Sequence, residues 1–167
     1  MLGLLPKTLY PARAFPILML VRDAALRDAE AIARHNVLLA NESEDERIIF
    51  KSTLAAVKAV LADRRKGFYL VAEEGGAAIG QLMLTFEWSD WRNRMMWWIQ
   101  SVYVDKEWRG KGVFRKLLAE VRRRARKEGV RILRLYVHTG NRKGIKAYEG
   151  AGMDRKPYYI YQFDVSP

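Results

Sequence analysis

Residues 101–118 read Ser101-Val-Tyr-Val-Asp-Lys-Glu-Trp-Arg-Gly-Lys-Gly-Val-Phe-Arg-Lys-Leu-Leu118. An aromatic and β-branched run ends near Val104, a short loop carries Arg109, Gly110, Lys111 and Gly112, and a helix opens at once. The helix declares itself by an apolar stripe, Phe114, Leu117, Leu118, Val121 and Ala125, at spacings of three and four. The first N–H groups of a helix have no internal partner, and the helix dipole adds partial positive charge there. Glycines lack the side chains that would keep a phosphate away from those groups. Arg109 and Lys111 add full charges. The segment is therefore built to hold a phosphate or a diphosphate. It is not a P-loop, which requires a Gly-Lys-Ser/Thr ending. Nor is it a dinucleotide loop, because Arg115 stands where the third glycine belongs.

Outward from this segment the chain alternates between strand and helix patterns. Toward the N-terminus the pattern predicts a central strand at 95–104, a polar and aromatic loop at 88–94, and a strand at 79–86. The turn signal Glu74-Gly75-Gly76 joins that strand to another at 68–72. Helices are expected at 24–39 and 46–61, separated by a polar break at 41–45, and a short first strand at 17–21. Toward the C-terminus the pattern predicts a strand at 132–137, a short helix at 142–149 and a final strand at 158–165. Early hairpins and a late strand–helix–strand unit define an α/β, or mixed α+β, protein.

At 167 residues the chain is long enough to enclose one core. We read residues 19–167 as one domain. Residues 1–18 read as an N-terminal extension, and translation starting at Met19 is one hypothesis for them. Their apolar character is broken by Pro6, Lys7, Pro11, Arg13 and Pro16, which argues against a secretory signal. No apolar run is long enough for a membrane-spanning helix. The sequence has no cysteine, which removes disulfides, thiolate metal sites and cysteine nucleophiles together. We expect no metal, no membrane partner and a cytoplasmic protein. The net charge is +11, and +8 of it falls within residues 105–134, where twelve Lys/Arg face four Asp/Glu. Such a surface attracts anions without naming one.

The loop resembles the pyrophosphate loop of Gcn5-related N-acetyltransferases, Arg/Gln-x-x-Gly-x-Gly/Ala. Arg109 takes its first position and Gly112 its fourth. Phe114 departs from the usual Gly or Ala, which keeps the backbone donors but requires the ring to turn into the core. A later segment, Val137-His-Thr-Gly-Asn141 through Tyr148 to Gly152-Met153, is similar to the family's strand, Asn, short helix, Tyr and Gly-Met sequence. The resemblance implies an acyl-CoA N-acyltransferase fold: a mostly antiparallel, splayed central sheet flanked by helices. It implies acetyl-CoA as cosubstrate, its diphosphate on Arg109, Gly110, Lys111, Gly112, Val113 and Phe114. The pantetheine arm would lie along Val102, Tyr103 and Val104, with Asn141 bonding that arm or a water. Asn141 is equally suited to cap a helix.

The resemblance further implies direct transfer of the acetyl group to an amine. The sequence supports that route, since it offers no cysteine and no Gly-x-Ser-x-Gly elbow. Tyr148 occupies the position from which the family's tyrosine protonates the departing sulfur. A phenol, with reference pKa near 10, carries its proton at neutral pH. For the general base the candidates are Glu87 and Asp90. Glu87 is preferred at its strand end, where Trp88 and Trp91 could bury it and make it a better base. The acceptor is a small-molecule or peptide amine that the sequence does not identify, and dimers are common among such proteins. Two rival readings remain at this stage. One is a coenzyme-A-binding regulator without catalysis. The other is a nucleic-acid binder using Arg122 to Lys127, although that run is more commonly a solvated helix face. The tyrosines within 158–161 have no role in any of these readings.

Overall fold

In a computed structural model that describes residues 19–44 and 46–165, an antiparallel meander is extended by one parallel strand. The strands are β1 (Leu20–Asp23), β2 (Phe68–Glu74), β3 (Ala77–Ser89), β4 (Arg94–Val104) and β5 (Leu133–Arg134), in that spatial order. The helices are α1 (Ala29–Leu39), α2 (Phe50–Ala62), α3 (Val113–Lys127) and α4 (Arg142–Gly150). A five-stranded, mostly antiparallel sheet flanked by helices is the fold class expected from the sequence.

Strand β2 shows why the sheet is covered on both faces. Successive side chains of a strand point to opposite sides. Phe68, Leu70 and Ala72 join a core with Leu82, Leu84, Trp97 and Ile99 under the α3 residues Leu117 and Val121. Tyr69 and Val71 join a second core with Ala29, Ile32 and Ala33 of α1 and Val57 of α2. The α3 stripe read from the sequence is the buried face, with Phe114 half-buried against the same core. Gly80 on β3 permits a close approach between sheet and helix. A Cβ there would stand 2.9 Å from Cγ1 of Val113 and 3.1 Å from the Tyr103 carbonyl oxygen. The absence of a side chain at Gly80 thus seats the start of α3 against β3 and β4.

Several boundaries differ from the sequence expectation, each for a physical reason. Residues 1–18, including part of the expected strand at 17–21, lie outside the described residues; β1 begins at Leu20. Helix α1 begins at Ala29 after a 3-10 turn at Leu26–Asp28. There the Asp28 carboxylate accepts from the Ala25 amide and holds the chain out of helix. Helix α2 begins at Phe50, because Ile49 is extended and its carbonyl accepts from Thr53 and Ser52. The expected loop at 88–94 is mostly strand. Trp88 pairs with Met95 and Ser89 with Arg94, leaving only residues 90–93 to turn. Strand β5 spans two residues rather than 132–137, and residues 154–165 contain no strand. Among the described residues nothing pairs with the outer edge of β5, so neither stretch is held as a longer strand.

The arginine run on α3 is partly committed to the fold. Arg124 reaches Asp23 of β1 at 2.8 Å and Glu120 at 2.7 Å, whereas Arg123 is exposed beside Glu120. Among the described residues no helix is long and apolar enough to cross a membrane.

Candidate active site

The site arises where β4 and β5 part. They are in register only at Trp97 with Leu133 and Trp98 with Arg134. Beyond those pairs β4 carries a bulge: between Gln81 and Met83 of β3 the partner shifts from Tyr103 to Gln100. Ser101, within the bulge, has φ of 49°, a left-handed conformation unusual outside glycine. Bulges bend a strand and re-aim the side chains beyond the bend. The opening beside β4 is a cleft of about 840 Å³, walled by residues 99–104, the start of α3, Tyr136 and Val137 beyond β5, and α4.

One end of the cleft is the glycine loop. After Asp105 a 3-10 turn, Lys106–Trp108, leads to Gly110 at φ 77° and Gly112 at φ 83°. Gly112 caps α3 in a left-handed conformation with no side chain bonded to the helix end. The first bond of the turn runs from Lys116 N to Gly112 O, so Val113, Phe114 and Arg115 have no amide partner within the helix. A Cβ added at Gly110 or Gly112 would meet nothing within 4 Å, so the space before these amides is open. Donors, dipole and open volume together suit a diphosphate. Lys111 supplies a cation held 4.9 Å from the centroid of the Trp108 ring.

Arg109 folds back over β4 instead of toward the amides. Its Nε donates to the Val104 carbonyl at 2.8 Å and its Nη2 to Glu42 at 2.9 Å, with the guanidinium 5.3 Å from the Tyr103 ring. Glu42 lies in a π-helical turn, Ala40–Glu44, after α1. It also accepts from the Tyr103 hydroxyl at 3.2 Å, and Lys106 is 3.6 Å away. Burial works to raise the Glu42 carboxyl, but the Arg109 hydrogen bond and the two cations prevail and hold it below the usual carboxylate range. Burial, then the Glu42 charge, pushes the Tyr103 hydroxyl up to about 12, so it stays a donor. His35, buried and stacked 4.9 Å from Tyr103, has Nε2 3.1 Å from Asp105 and Nδ1 3.2 Å from Gln81. These contacts fasten the loop's first residue to α1.

The other end of the cleft is α4. Asn141 caps it, its Oδ1 accepting from the Gly144 amide at 2.8 Å, while the side chain also faces the cleft. Tyr148 lines the cleft with its ring edge-on to Phe114, centroids 5.5 Å apart. The Phe114 ring thus turns inward and its backbone stays at the helix end.

Val102, Tyr103, Val104, Arg109, Gly110, Gly112, Val113, Phe114, Asn141 and Tyr148 therefore meet around one cleft. Lys111 and Glu87 are not among the residues lining it. Glu87 accepts from the Trp98 indole and lies 3.4 Å from Arg134. Its neighbours are these, and the expected burial under Trp88 and Trp91 does not occur: those rings are 58% and 87% exposed. Trp98 in turn packs on Tyr136, whose ring lines the cleft. Sequence reading misses Glu42, the carboxylate among the lining residues. It sits in a polar break with no local pattern, and its partner Arg109 is 67 residues away. Lys143 and Lys146 on α4 also face the cleft, although in sequence they look like ordinary surface charges. Among the described residues no group of His, Cys, Asp and Glu side chains could hold a metal ion.

A mixed sheet that opens beside a glycine-capped helix defines the class: an acetyltransferase fold. The chain belongs to the Acetyltransferase (GNAT) family, which its residues 26–153 match. The structure is similar to that of a possible acetyltransferase from Clostridium difficile 630, with 39% identity, coverage of 90% of this chain and 99% of that one, and a TM-score of 0.82. It shares its fold, at 17% identity and a TM-score of 0.72, with a predicted acetyltransferase from Clostridium acetobutylicum solved with acetyl-CoA, covering 87% and 96% of the two chains. In sequence it is 29% identical, over 58% of its length, to an uncharacterized N-acetyltransferase of Methanocaldococcus jannaschii. The aligned segments span 43% and 46% of the curated relatives that match.

Proposed function

We propose that this protein transfers the acetyl group of acetyl-CoA directly to the nitrogen of an amine. The observation that carries the reading is the open, glycine-lined N-terminus of α3 at one end of a cleft whose other wall presents Tyr148. The amides of Val113, Phe114 and Arg115 would take the diphosphate, with Lys111 adding charge and Lys143 and Lys146 facing the same space. The backbone of Val102, Tyr103 and Val104 would hold the pantetheine arm. Acetyl-CoA supplies an activated acyl group on a thiol leaving group.

The chain's own residues do the rest. Tyr148 donates a proton to the departing sulfur. Glu87, which accepts from the Trp98 indole outside the cleft lining, takes the amine's proton through intervening water. A covalent acyl-enzyme is disfavoured: the sequence has no cysteine. Of its two histidines, His35 is buried against Asp105 and Gln81, and His138 accepts from the Gly140 amide.

Thiol release from acetyl-CoA, measured across a panel of small amines, amino acids and peptides, tests the proposal. Turnover on at least one class is expected; coenzyme binding with none on any class would make the protein a sensor instead. Gly112→Ala should weaken acetyl-CoA binding about tenfold, because a Cβ at φ 83° costs roughly 1–2 kcal/mol and shifts the amides. Calorimetric titration reads this directly, and an unchanged affinity would place the diphosphate elsewhere. Glu87→Gln should lower kcat roughly tenfold to a hundredfold with acetyl-CoA affinity unaltered. Retained turnover would remove Glu87 from the mechanism.

A further inference from the structure

The end of β4 presents a carbonyl to the cleft side, and Arg109 takes it. The Asp105 amide donates to Ile79 of β3 at 3.0 Å. A trans peptide points its C=O opposite to its N–H, and no peptide among the described residues is cis. The Val104 carbonyl therefore faces away from β3, along the edge that opens into the cleft. The Nε of Arg109 donates to it at 2.8 Å.

The same guanidinium meets two more partners. Its Nη2 donates to Glu42 at 2.9 Å, and it lies 5.3 Å from the centroid of the Tyr103 ring. Glu42 in turn accepts from the Tyr103 hydroxyl at 3.2 Å. Glu42, Tyr103 and Arg109 thus form a closed clasp in which each member touches the other two. Glu42 is placed by α1, which its π-helical turn continues. That helix is fixed to the same layer by a second set of bonds. His35 lies 3.1 Å from Asp105 and 3.2 Å from Gln81, Gln81 donates to Asn36 at 2.7 Å, and Asn36 donates to the Tyr69 hydroxyl at 3.4 Å. An anchor held in this way does not follow Arg109. Swinging Arg109 toward the amides of Val113, Phe114 and Arg115 would leave both the Glu42 carboxylate and the Val104 carbonyl without this donor. The two side chains are 25% and 40% exposed, so water makes good only part of that loss.

We propose that Glu42 and Arg109 are a positioning pair: Glu42 holds Arg109 on the Val104 carbonyl, and the clasp fixes the end of β4 and the glycine loop in the arrangement that receives the coenzyme, without the Arg109 side chain touching it. The inference rests on the reading of the cleft as an acetyl-CoA site. It divides the cations of the loop. Lys106 and Arg109 answer to Glu42, whereas Lys111 rests on the Trp108 ring and is left for the diphosphate.

Acetyl-CoA titration of Glu42→Ala, Arg109→Lys and their combination, repeated from low to high salt, tests the pair. Each single change should weaken binding about tenfold; lysine keeps the charge but lacks the fork that reaches Val104 and Glu42 together. The double variant should bind no more weakly than the worse single one, because the two residues act through one interaction. The salt dependence should stay that of the unaltered protein, since no cation facing the phosphates is lost. KM for acetyl-CoA should rise while kcat at saturation stays within about twofold. In the ligand-free variants the amides of residues 105–115 should exchange with deuterium faster, while those of α2 do not; a general loss of stability would quicken both. Tighter binding by Glu42→Ala would make Arg109 a coenzyme ligand that Glu42 restrains, and would overturn the proposal. Unaltered binding by Arg109→Lys, or losses that add in the double variant, would overturn it too. Should Glu42→Ala fail to fold by circular dichroism, Glu42→Gln replaces it, with a smaller loss of the same sign. If the unaltered protein binds no acetyl-CoA, the reading of the cleft fails rather than the pair. Deuterium exchange then decides, and unchanged rates at residues 105–115 overturn the pair as well.

Discussion

Tyr148→Phe is expected to lower kcat by roughly 10²–10³-fold while acetyl-CoA affinity stays within about twofold. The substitution removes one oxygen and keeps the ring. That ring packs edge-on to Phe114 and lines the cleft, so the position of α4 and the mouth of the cleft should be preserved. On the proposed mechanism, what is lost is the proton donor. Thiolate leaving groups depart faster when protonated as the C–S bond breaks, and on the proposed mechanism Tyr148, which lines the cleft, supplies that proton. A packing role for Tyr148 predicts the reverse pattern: phenylalanine would be neutral. Steady-state kinetics with binding measured independently separates the two. Equal losses in kcat and kcat/KM identify an interaction made in the transition state, whereas a raised KM alone would identify binding. Turnover equal to that of the unaltered protein would take Tyr148 out of the chemistry.

Local physics makes the site's centre legible, and distance hides its edges. The segment from Val104 to Val121 needs no tertiary information. Its glycines, its cations and the stripe from Phe114 to Ala125 lie within one strand, loop and helix, and the structure keeps them in that arrangement. Asn141 reads from sequence both as a cap and as a ligand. Its Oδ1 caps α4, while the side chain still faces the cleft. Glu42 is invisible because nothing in residues 41–45 marks a carboxylate that will meet Arg109 and Tyr103 from another layer. The starts of α1 and α2 fall later than the sequence suggests for a related reason. Apolar spacing continues upstream, but Ala25 and Ile49 are extended, and the Asp28 carboxylate and the Ile49 carbonyl accept the bonds that begin each helix there. The turn at 90–93 reads as a longer loop because Trp88 and Arg94 look irregular in isolation. Pairing with Met95 and Ser89 makes both of them strand. The strands expected at 132–137 and 158–165 carry real strand character. A strand pattern does not supply its own neighbour, and among the described residues the two segments do not pair.

Arg22→Leu is expected to destabilise the fold by about 3–5 kcal/mol, since removing one member of a buried ion pair strands the other charge. Arg22 grips Asp28 with both nitrogens, at 2.7 and 2.9 Å, and Glu73 of β2 with Nε at 2.7 Å and with Nη2. The side chains are 17%, 7% and 22% exposed, so water replaces little of the lost interaction. Burial alone would raise the Asp28 carboxyl. The Arg22 hydrogen bond and charge, with the Ala25 amide, reverse that and hold it below its usual range. A depressed carboxylate contributes stability above its unfolded pKa, near 4, and loses it as pH falls toward the folded value. The unaltered protein should therefore weaken in acid more steeply than Arg22→Leu, whose stranded Asp28 gains from protonation. Urea unfolding at neutral and acid pH measures both effects. The triple change Arg22→Leu, Asp28→Asn, Glu73→Gln removes the charges together and should recover most of the loss. If the single change costs no more than an exposed pair, below about 1 kcal/mol, the cluster does not hold β1 and α1 to the sheet.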